Sequence, residues 1–240
     1  SVFSDGIMTS DGRRVVCVLP ALNEELSVGL VVKSLPPSVD TTIVVDNGSV
    51  DATARCAREA GAMVVYEPQR GYGAACLRGI DAACEAQADI IVFVDADFSD
   101  DPSDVQRVIN GLVDNNADMC LGSRTLGRRE RGSLTPQQQF GNALATHLIY
   151  WRWGMRYTDL GPLRAITVTA LAAMNMEDRS FGWTVEMQIK AAYLSLKVVE
   201  LPVSYRRRIG TSKISGTIRG SFMAGIIILS TITRYAFRRS

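Results

Sequence analysis

Two aspartates separated by one residue, Asp95-Ala96-Asp97, follow directly on the almost wholly apolar run 89–94. Carboxylates at positions i and i+2 repel each other unless a cation lies between them. Hard oxygen ligands of this kind suit Mg²⁺ or Mn²⁺, with phosphate and water oxygens completing the coordination. The ordinary alternative is a solvated turn in which Asp97, Ser99 or Asp100 caps the next helix. A place at the end of a buried strand favours the metal and phosphate, because open α/β sheets bind ligands beyond the carboxyl ends of their strands.

Three further polar clusters have the same kind of placement. Pro20-Ala21-Leu22-Asn23-Glu24 follows the apolar run 15–19, and Asp46-Asn47-Gly48-Ser49 follows 41–45. Asn-Gly is a strong turn former, but Asp46 at a strand end could also accept hydrogen bonds from a nucleobase or ribose. Arg70-Gly71-Tyr72-Gly73 opens a small-residue helix and offers backbone amides to an anion. Each cluster alone is weak. Together, at four chain reversals of one sheet, they describe a nucleotide-sugar pocket.

The elements that must hold these clusters alternate. Strands are expected at 15–19, 41–45, 62–66, 89–94, 117–121 and 197–201, with a turn into another strand over 158–166. Helices are expected from Asn23, from Ser49 or Asp51 to about Ala60, over 71–86, from Asp101-Pro102, and over 140–153, 182–194 and 218–237. Alternation of this kind gives βαβ units and a mainly parallel sheet with right-handed crossovers. Residues 125–139 read as a polar loop with Arg128, Arg129 and Arg131 close together, and 205–216 as a basic loop.

The formal charge of +1 over 240 residues argues against a partner held by a basic surface, nucleic acid above all. The distribution is uneven, however. Residues 1–200 carry 18 Lys and Arg against 25 Asp and Glu, a net −7, whereas residues 201–240 carry eight cations and no acid. The stretch 218–237 is apolar but interrupted by Ser221, Ser230, Thr231 and Thr233, short of the roughly 20 predominantly apolar residues that span a bilayer. Flanked by Arg219, Arg234, Arg238 and Arg239, it reads as an amphipathic helix lying on an anionic membrane surface, or else packed on the domain. Five cysteines without CxxC spacing read as free thiols of a reducing compartment. Residues 1–12 are polar and are expected to be disordered or vector-derived. His147, the single histidine, sits among apolar neighbours and reads as structural.

The ordered set Pro20–Glu25, Asp46–Thr53, Arg70–Ala75, Asp95-Ala96-Asp97 and Gly122-Ser123-Arg124 resembles the family 2 glycosyltransferases of the GT-A fold. It is most similar to the dolichyl- and polyprenyl-phosphate hexosyltransferases. Thr158–Arg164, Trp183–Met187 and Gly210–Lys213 extend the likeness to about residue 220. The resemblance implies a single GT-A (Rossmann-like) α/β domain over 13–215 and a basic amphipathic helix over 216–240. It implies that Pro20, Leu22, Glu24 and Asp46 hold base and ribose, with Gly73 and Ala96 lining the nucleotide-sugar pocket. Asp95 and Asp97 would hold ribose and a Mg²⁺ or Mn²⁺ ion. Lys213 would meet the donor diphosphate, Arg124 and Ser123 the acceptor phosphate, and Asp159 and Glu186 would line the sugar side as catalytic groups.

Two departures stand out. Asn47 occupies a position where the family often has a second acid, and Pro136-Gln137-Gln138-Gln139 lies where the polyprenyl-phosphate enzymes tend to place a second phosphate-binding arginine. The expected reaction is inverting transfer of a hexose from GDP-mannose or UDP-glucose to a polyprenyl phosphate, at the cytoplasmic face of the membrane. A soluble hydroxyl acceptor is the alternative, and a sugar-phosphate nucleotidyltransferase a more distant one. A homo-oligomer remains open.

Overall fold

The computed structural model describes residues 11–210 and 218–237. Seven strands form one sheet: β1 (Val15–Ala21), β2 (Thr41–Asp46), β3 (Met63–Tyr66), β4 (Ile90–Phe93), β5 (Met119–Ser123), β6 (Arg164–Thr167) and β7 (Val198–Pro202). Their order is β3-β2-β1-β4-β6-β5-β7. Val15–Leu19 of β1 and the whole of β4 are buried. Burial on both faces makes such strands continuous apolar runs rather than alternating ones.

The pairs β1·β2, β1·β4, β2·β3 and β5·β7 are parallel, as the alternation of elements leads one to expect. The strand β6 is the exception and runs antiparallel to both β4 and β5. The registers Ala21↔Asp46 and Val18↔Phe93 bring the ends of β1, β2 and β4 side by side. That edge carries the polar clusters.

Helices cover both faces. The helix α1 (Val28–Ser34) follows β1, α2 (Thr53–Glu59) follows β2, and α3 (Tyr72–Glu85) packs on β1 and β2. A Cβ at Gly79 would stand 2.3 Å from Val18 Cγ1, so glycine lets α3 approach the sheet. The helix α4 (Pro102–Asp114) begins where expected: Asp101 accepts from Ser103 N at 3.0 Å, and Pro102 fills the first turn.

The helix α5 (Pro136–Trp153) begins four residues earlier than the apolar pattern indicates. A capping box starts it: Thr135 Oγ1 accepts from Gln138 N, and Gln138 Oε1 from Thr135 N. The short α6 (Val168–Met174), capped by Thr167, was not foreseen. The helix α7 (Trp183–Tyr193) precedes β7.

The last helix, α8 (Ile218–Phe237), packs against α5 and α7 with Thr231 and Ile232 buried, while Ile226, Leu229 and Phe237 face solvent. Among the described residues no helix is long and apolar enough to cross a membrane. The five cysteines are unpaired, with Cys17, Cys76 and Cys120 buried and Cys84 exposed.

Thr135→Ala removes one half of the capping box that starts α5. It is expected to lower unfolding stability by about 1 kcal/mol in chemical denaturation.

Candidate active site

A cavity of about 460 Å³ opens at the carboxyl ends of β1, β2 and β4. Pro20, Leu22 and Glu24 line it from the end of β1, and Asp95, Ala96 and Asp97 from the end of β4. Asn47, Arg70, Tyr72, Phe181 and Arg208 complete the wall. A second pocket of about 250 Å³ continues from it, sharing Tyr72, Asp95, Asp97, Phe181 and Arg208 and adding Arg124, Gln138, Tyr205 and Arg206.

Carboxylates crowd the junction. Withdrawal from water, then the neighbouring Asp97, push the Asp95 carboxyl up to about 7, although the Tyr72 hydroxyl donates to it at 3.1 Å. Asp97 Oδ1 accepts from Ser99 N at 2.9 Å and from Ser99 Oγ. Asp100, 2 % exposed, has no hydrogen-bond partner on either oxygen among the described residues. Burial first, and then Asp95 and Asp97, hold its carboxyl well above the usual range.

The compensating charge is Arg208, whose Nη2 lies 2.6 Å from Glu24 Oε1 and whose Nη1 lies 3.5 Å from Asp97 Oδ2. Arg206 pairs with Asp101 at 2.7 Å and stacks over Phe98. Both arginines come from the basic loop, which the sequence marked only as a group. Among the described residues no cluster of three or more His, Cys, Asp or Glu side chains is arranged to hold an ion. Asp95 and Asp97 could therefore hold a divalent cation only with phosphate and water oxygens completing the shell. The poorly compensated carboxylates fit such an ion.

In the smaller pocket Arg124 is locked to Asp159. Its Nε and Nη2 reach the two carboxylate oxygens at 2.7 and 2.8 Å, and its own backbone N–H donates to Oδ2 at 2.8 Å. Leu160 N adds a fourth bond to Oδ1. Burial alone would lower the Arg124 pKa, but these bonds reverse the effect and hold the guanidinium charged. Its face lies 5.0 Å from the Tyr205 ring centroid. Asp159 is 2 % exposed and fully engaged, so it is no free base.

Four expected ligand residues do other work. Asp46 Oδ1 accepts from Ser49 N at 2.9 Å, closing the turn after β2, while Asn47 reaches the cavity wall instead. The amides of Gly73 and Ala74 are not open to an anion: they donate to the carbonyls of Ser180 and Arg179. Gly71 and Gly73 are glycines because a Cβ would stand 2.0 and 2.1 Å from the carbonyl oxygens of Arg179 and Asp178. Ser123 is wholly buried, with Oγ 2.6 Å from Thr158 Oγ1.

Glu186, also wholly buried, lines neither pocket. Its carboxylate accepts from Glu177 N, Asp178 N, Lys190 Nζ and the Tyr235 hydroxyl. It thereby ties α8 to the 175–182 segment whose Ser180 and Phe181 form the lip of the larger cavity. Lys213 lies outside the described residues. His147, exposed on α5, stands apart from both pockets.

A seven-stranded α/β sheet with a two-aspartate cavity at its strand ends is the frame of a nucleotide-sugar enzyme, and the comparisons with known proteins agree. The chain belongs to glycosyl transferase family 2, whose family model matches residues 16–176. It is 38 % identical over 218 residues to an uncharacterized glycosyltransferase of Mycobacterium tuberculosis, covering 89 % of this chain and 95 % of that protein. It is 26 % identical over 226 residues to the undecaprenyl-phosphate mannosyltransferase of Micrococcus luteus, covering 89 % and 92 %. Among solved structures it resembles the glucosyl-3-phosphoglycerate synthase of Mycobacterium tuberculosis, captured with Mn²⁺, UDP and glucosyl-3-phosphoglycerate. The TM-score is 0.77 at 21 % identity, over 96 % of this chain and 82 % of that one, which is a likeness of GT-A fold.

The folded protein binds a proton at Asp95 more tightly than the unfolded chain does, since its carboxyl stands at about 7 against an ordinary 3.8. Asp95 therefore favours the folded state least once the pH passes 7. In metal-free protein, the gain in melting temperature of Asp95→Asn over wild type is expected to be small at pH 4 and to grow up to pH 7. Glu186→Gln weakens the fastening of the 175–182 lip. It is expected to raise the dissociation constant of the donor nucleotide while kcat falls little; a collapse of kcat at unchanged donor binding would mark Glu186 as a proton-transfer group instead.

Proposed function

We propose that this chain transfers a hexose from a nucleoside-diphosphate sugar to a lipid phosphate, with inversion at the anomeric carbon. The observation that carries the reading is the state of the two carboxylates expected on the sugar side. Asp159 is held by four donors, and Glu186 is buried outside the pockets. Neither is available to take a proton from a hydroxyl. A phosphate monoester needs no such base, because its second pKa is about 6 and it is already an anionic nucleophile near neutral pH. The named activity of the Micrococcus luteus relative points the same way.

The donor would occupy the larger cavity, its base and ribose against Pro20, Leu22 and Glu24, and its diphosphate toward Asp95, Asp97 and Arg208. A Mg²⁺ or Mn²⁺ ion on Asp95 and Asp97, the latter ion being present in the Mycobacterium tuberculosis neighbour, supplies charge neutralisation for the departing diphosphate. Arg208 adds its own charge to the same side of the cleft. The acceptor phosphate would enter the smaller pocket, beside Arg124 and Arg206, with Tyr205 packed under the Arg124 guanidinium. The exposed stripe of α8 would rest on the membrane that presents the acceptor.

A soluble acceptor is the second reading, supported by the phosphoglyceric product bound in the structural neighbour. Radiolabelled GDP-mannose and UDP-glucose, each incubated with polyprenyl phosphate and Mn²⁺, separate the two. The expected label is organic-extractable and released by mild acid; label confined to the aqueous phase would remove the lipid-phosphate reading. Asp97→Asn is expected to cut turnover at least about 100-fold, the scale for losing a group that stabilises developing charge. It should also abolish the melting-temperature gain that Mn²⁺ gives with the donor nucleotide; wild-type turnover would remove the metal role.

A further inference from the structure

A cavity of about 680 Å³ lies beside the transfer cleft and shares no lining residue with it. The two are back to back across one loop: Thr125, Leu134 and Gln139 face this cavity, and their chain neighbours Arg124, Ser133 and Gln138 face the cleft. Gln139, Asn142, Ala143, Thr146, His147 and Tyr150 lie at helical spacing and form one wall. Arg129 enters from the 125–139 loop and Arg156 from the segment after α5. Arg156 donates to the Tyr150 hydroxyl at 3.1 Å and stacks on its ring. Neither arginine has an ion-pair partner among the described residues, and no carboxylate lines the cavity. The site is cationic, partly apolar and uncompensated.

Its surroundings are equally unusual. Phe140 and Trp151, one helical stripe away on α5, are 71 % and 80 % exposed. They adjoin the side of α5 that meets α8, where Arg152 Nη2 donates to the Ala236 carbonyl at 3.1 Å. The solvent-facing Ile226, Leu229 and Phe237 of α8 continue the apolar surface. Arginine beside exposed tryptophan and phenylalanine is the composition that settles at an anionic membrane interface, where aromatic rings occupy the headgroup level.

We propose that this cavity seats the phosphate headgroup of an anionic membrane phospholipid, held by Arg129 and Arg156, while Phe140 and Trp151 enter the interface. The site docks the enzyme and is separate from the acceptor pocket. The inference rests on the membrane-surface reading of α8, to which it adds a headgroup site on a different helix.

Flotation tests it, with vesicles of phosphatidylcholine alone and of equal parts phosphatidylcholine and phosphatidylglycerol. The full chain is expected to float with the mixed vesicles only, and Arg129→Gln with Arg156→Gln to weaken that binding by about fivefold per arginine. Arg129→Lys with Arg156→Lys should retain most of it, and Trp151→Ser should lose it. All variants should keep the wild-type melting temperature and donor-induced stabilisation, because the altered side chains are exposed. Equal flotation of wild type with neutral vesicles, no flotation at all, or wild-type flotation of the double glutamine variant would overturn the proposal. So would inorganic phosphate displacing the protein as well as phosphatidylglycerol vesicles hold it, which would mark a free-phosphate site. Transfer to a short-chain, water-soluble polyprenyl phosphate without vesicles reads the acceptor chemistry separately: the wild type and the double variant should be equal there. A wild type that floats but fails this transfer would sink the lipid-phosphate acceptor and leave the docking site standing.

Discussion

Three carboxylates, Asp95, Asp97 and Asp100, are gathered within six residues at the end of a strand buried on both faces. Their mutual repulsion in a site short of water is the constraint the neighbouring structure answers. Arg208 answers it from the far end of the chain, bridging Glu24 and Asp97 across the mouth of the cavity. Arg206 does the same for Asp101, and the half-buried Arg124 lies close enough to lower the pKa of both Asp95 and Asp100. Even so, among the described residues Asp100 has no hydrogen-bond partner on either oxygen, and burial and Asp97 push the Asp95 carboxyl up to about 7. A cleft left this far short of positive charge is preorganised for a cation that arrives with its own phosphate ligands. The split of the sequence into an acidic body and a basic end thereby acquires a structural reason. Two of the first arginines of the basic end, Arg206 and Arg208, fold back onto the acidic strand ends.

The central strands β1 and β4 were legible because burial turns them into apolar runs, and the polar clusters at their ends stood out against those runs. The direction of β6 was not. Its four residues begin with Arg164, which is wholly buried and bonded to the carbonyls of Gly161 and Thr184. A buried arginine at a strand start gives no hydrophobic period to read. The early start of α5 escaped notice because Pro136-Gln137-Gln138-Gln139 has no apolar residue, yet Thr135 and Gln138 at three-residue spacing are a capping signal. Two expected ligand positions show how structural and binding roles share residue types. Turns and close packing select the same residue types as ligand binding, so Asp46 closing a turn and Gly73 admitting a backbone carbonyl look in sequence like ligands.

The lip of the larger cavity shows how a distant element enters the site. Ser180 and Phe181 sit on a segment held from below by Gly73 N and Ala74 N and from behind by Glu186. Glu186 is shared with Tyr235 of α8, so the helix with the exposed apolar stripe and the wall of the donor pocket hang on one buried carboxylate. A buried anion with four donors has one low-energy arrangement, since any departure leaves charge or amides unpaired. Displacement of α8 therefore acts on the lip rather than dissipating in a loose loop. The C-terminal helix is at once part of the packed domain and part of its outer surface.

The ends of β1 and β4 form the larger cavity, on a fold that the chain shares with a synthase captured with UDP and Mn²⁺. The smaller pocket, where the proposal seats the acceptor, takes Arg124 from the loop after β5 and Tyr205, Arg206 and Arg208 from the loop after β7. Within it, chemistry turns on whether a carboxylate stands ready to accept a proton. The bidentate Arg124–Asp159 pair converts the nearest such group into an electrostatic strut: the arginine is fixed and charged, and the aspartate is fully engaged. A fixed guanidinium whose paired carboxylate is fully engaged suits an acceptor that arrives ionised, and a phosphate monoester does so near neutral pH.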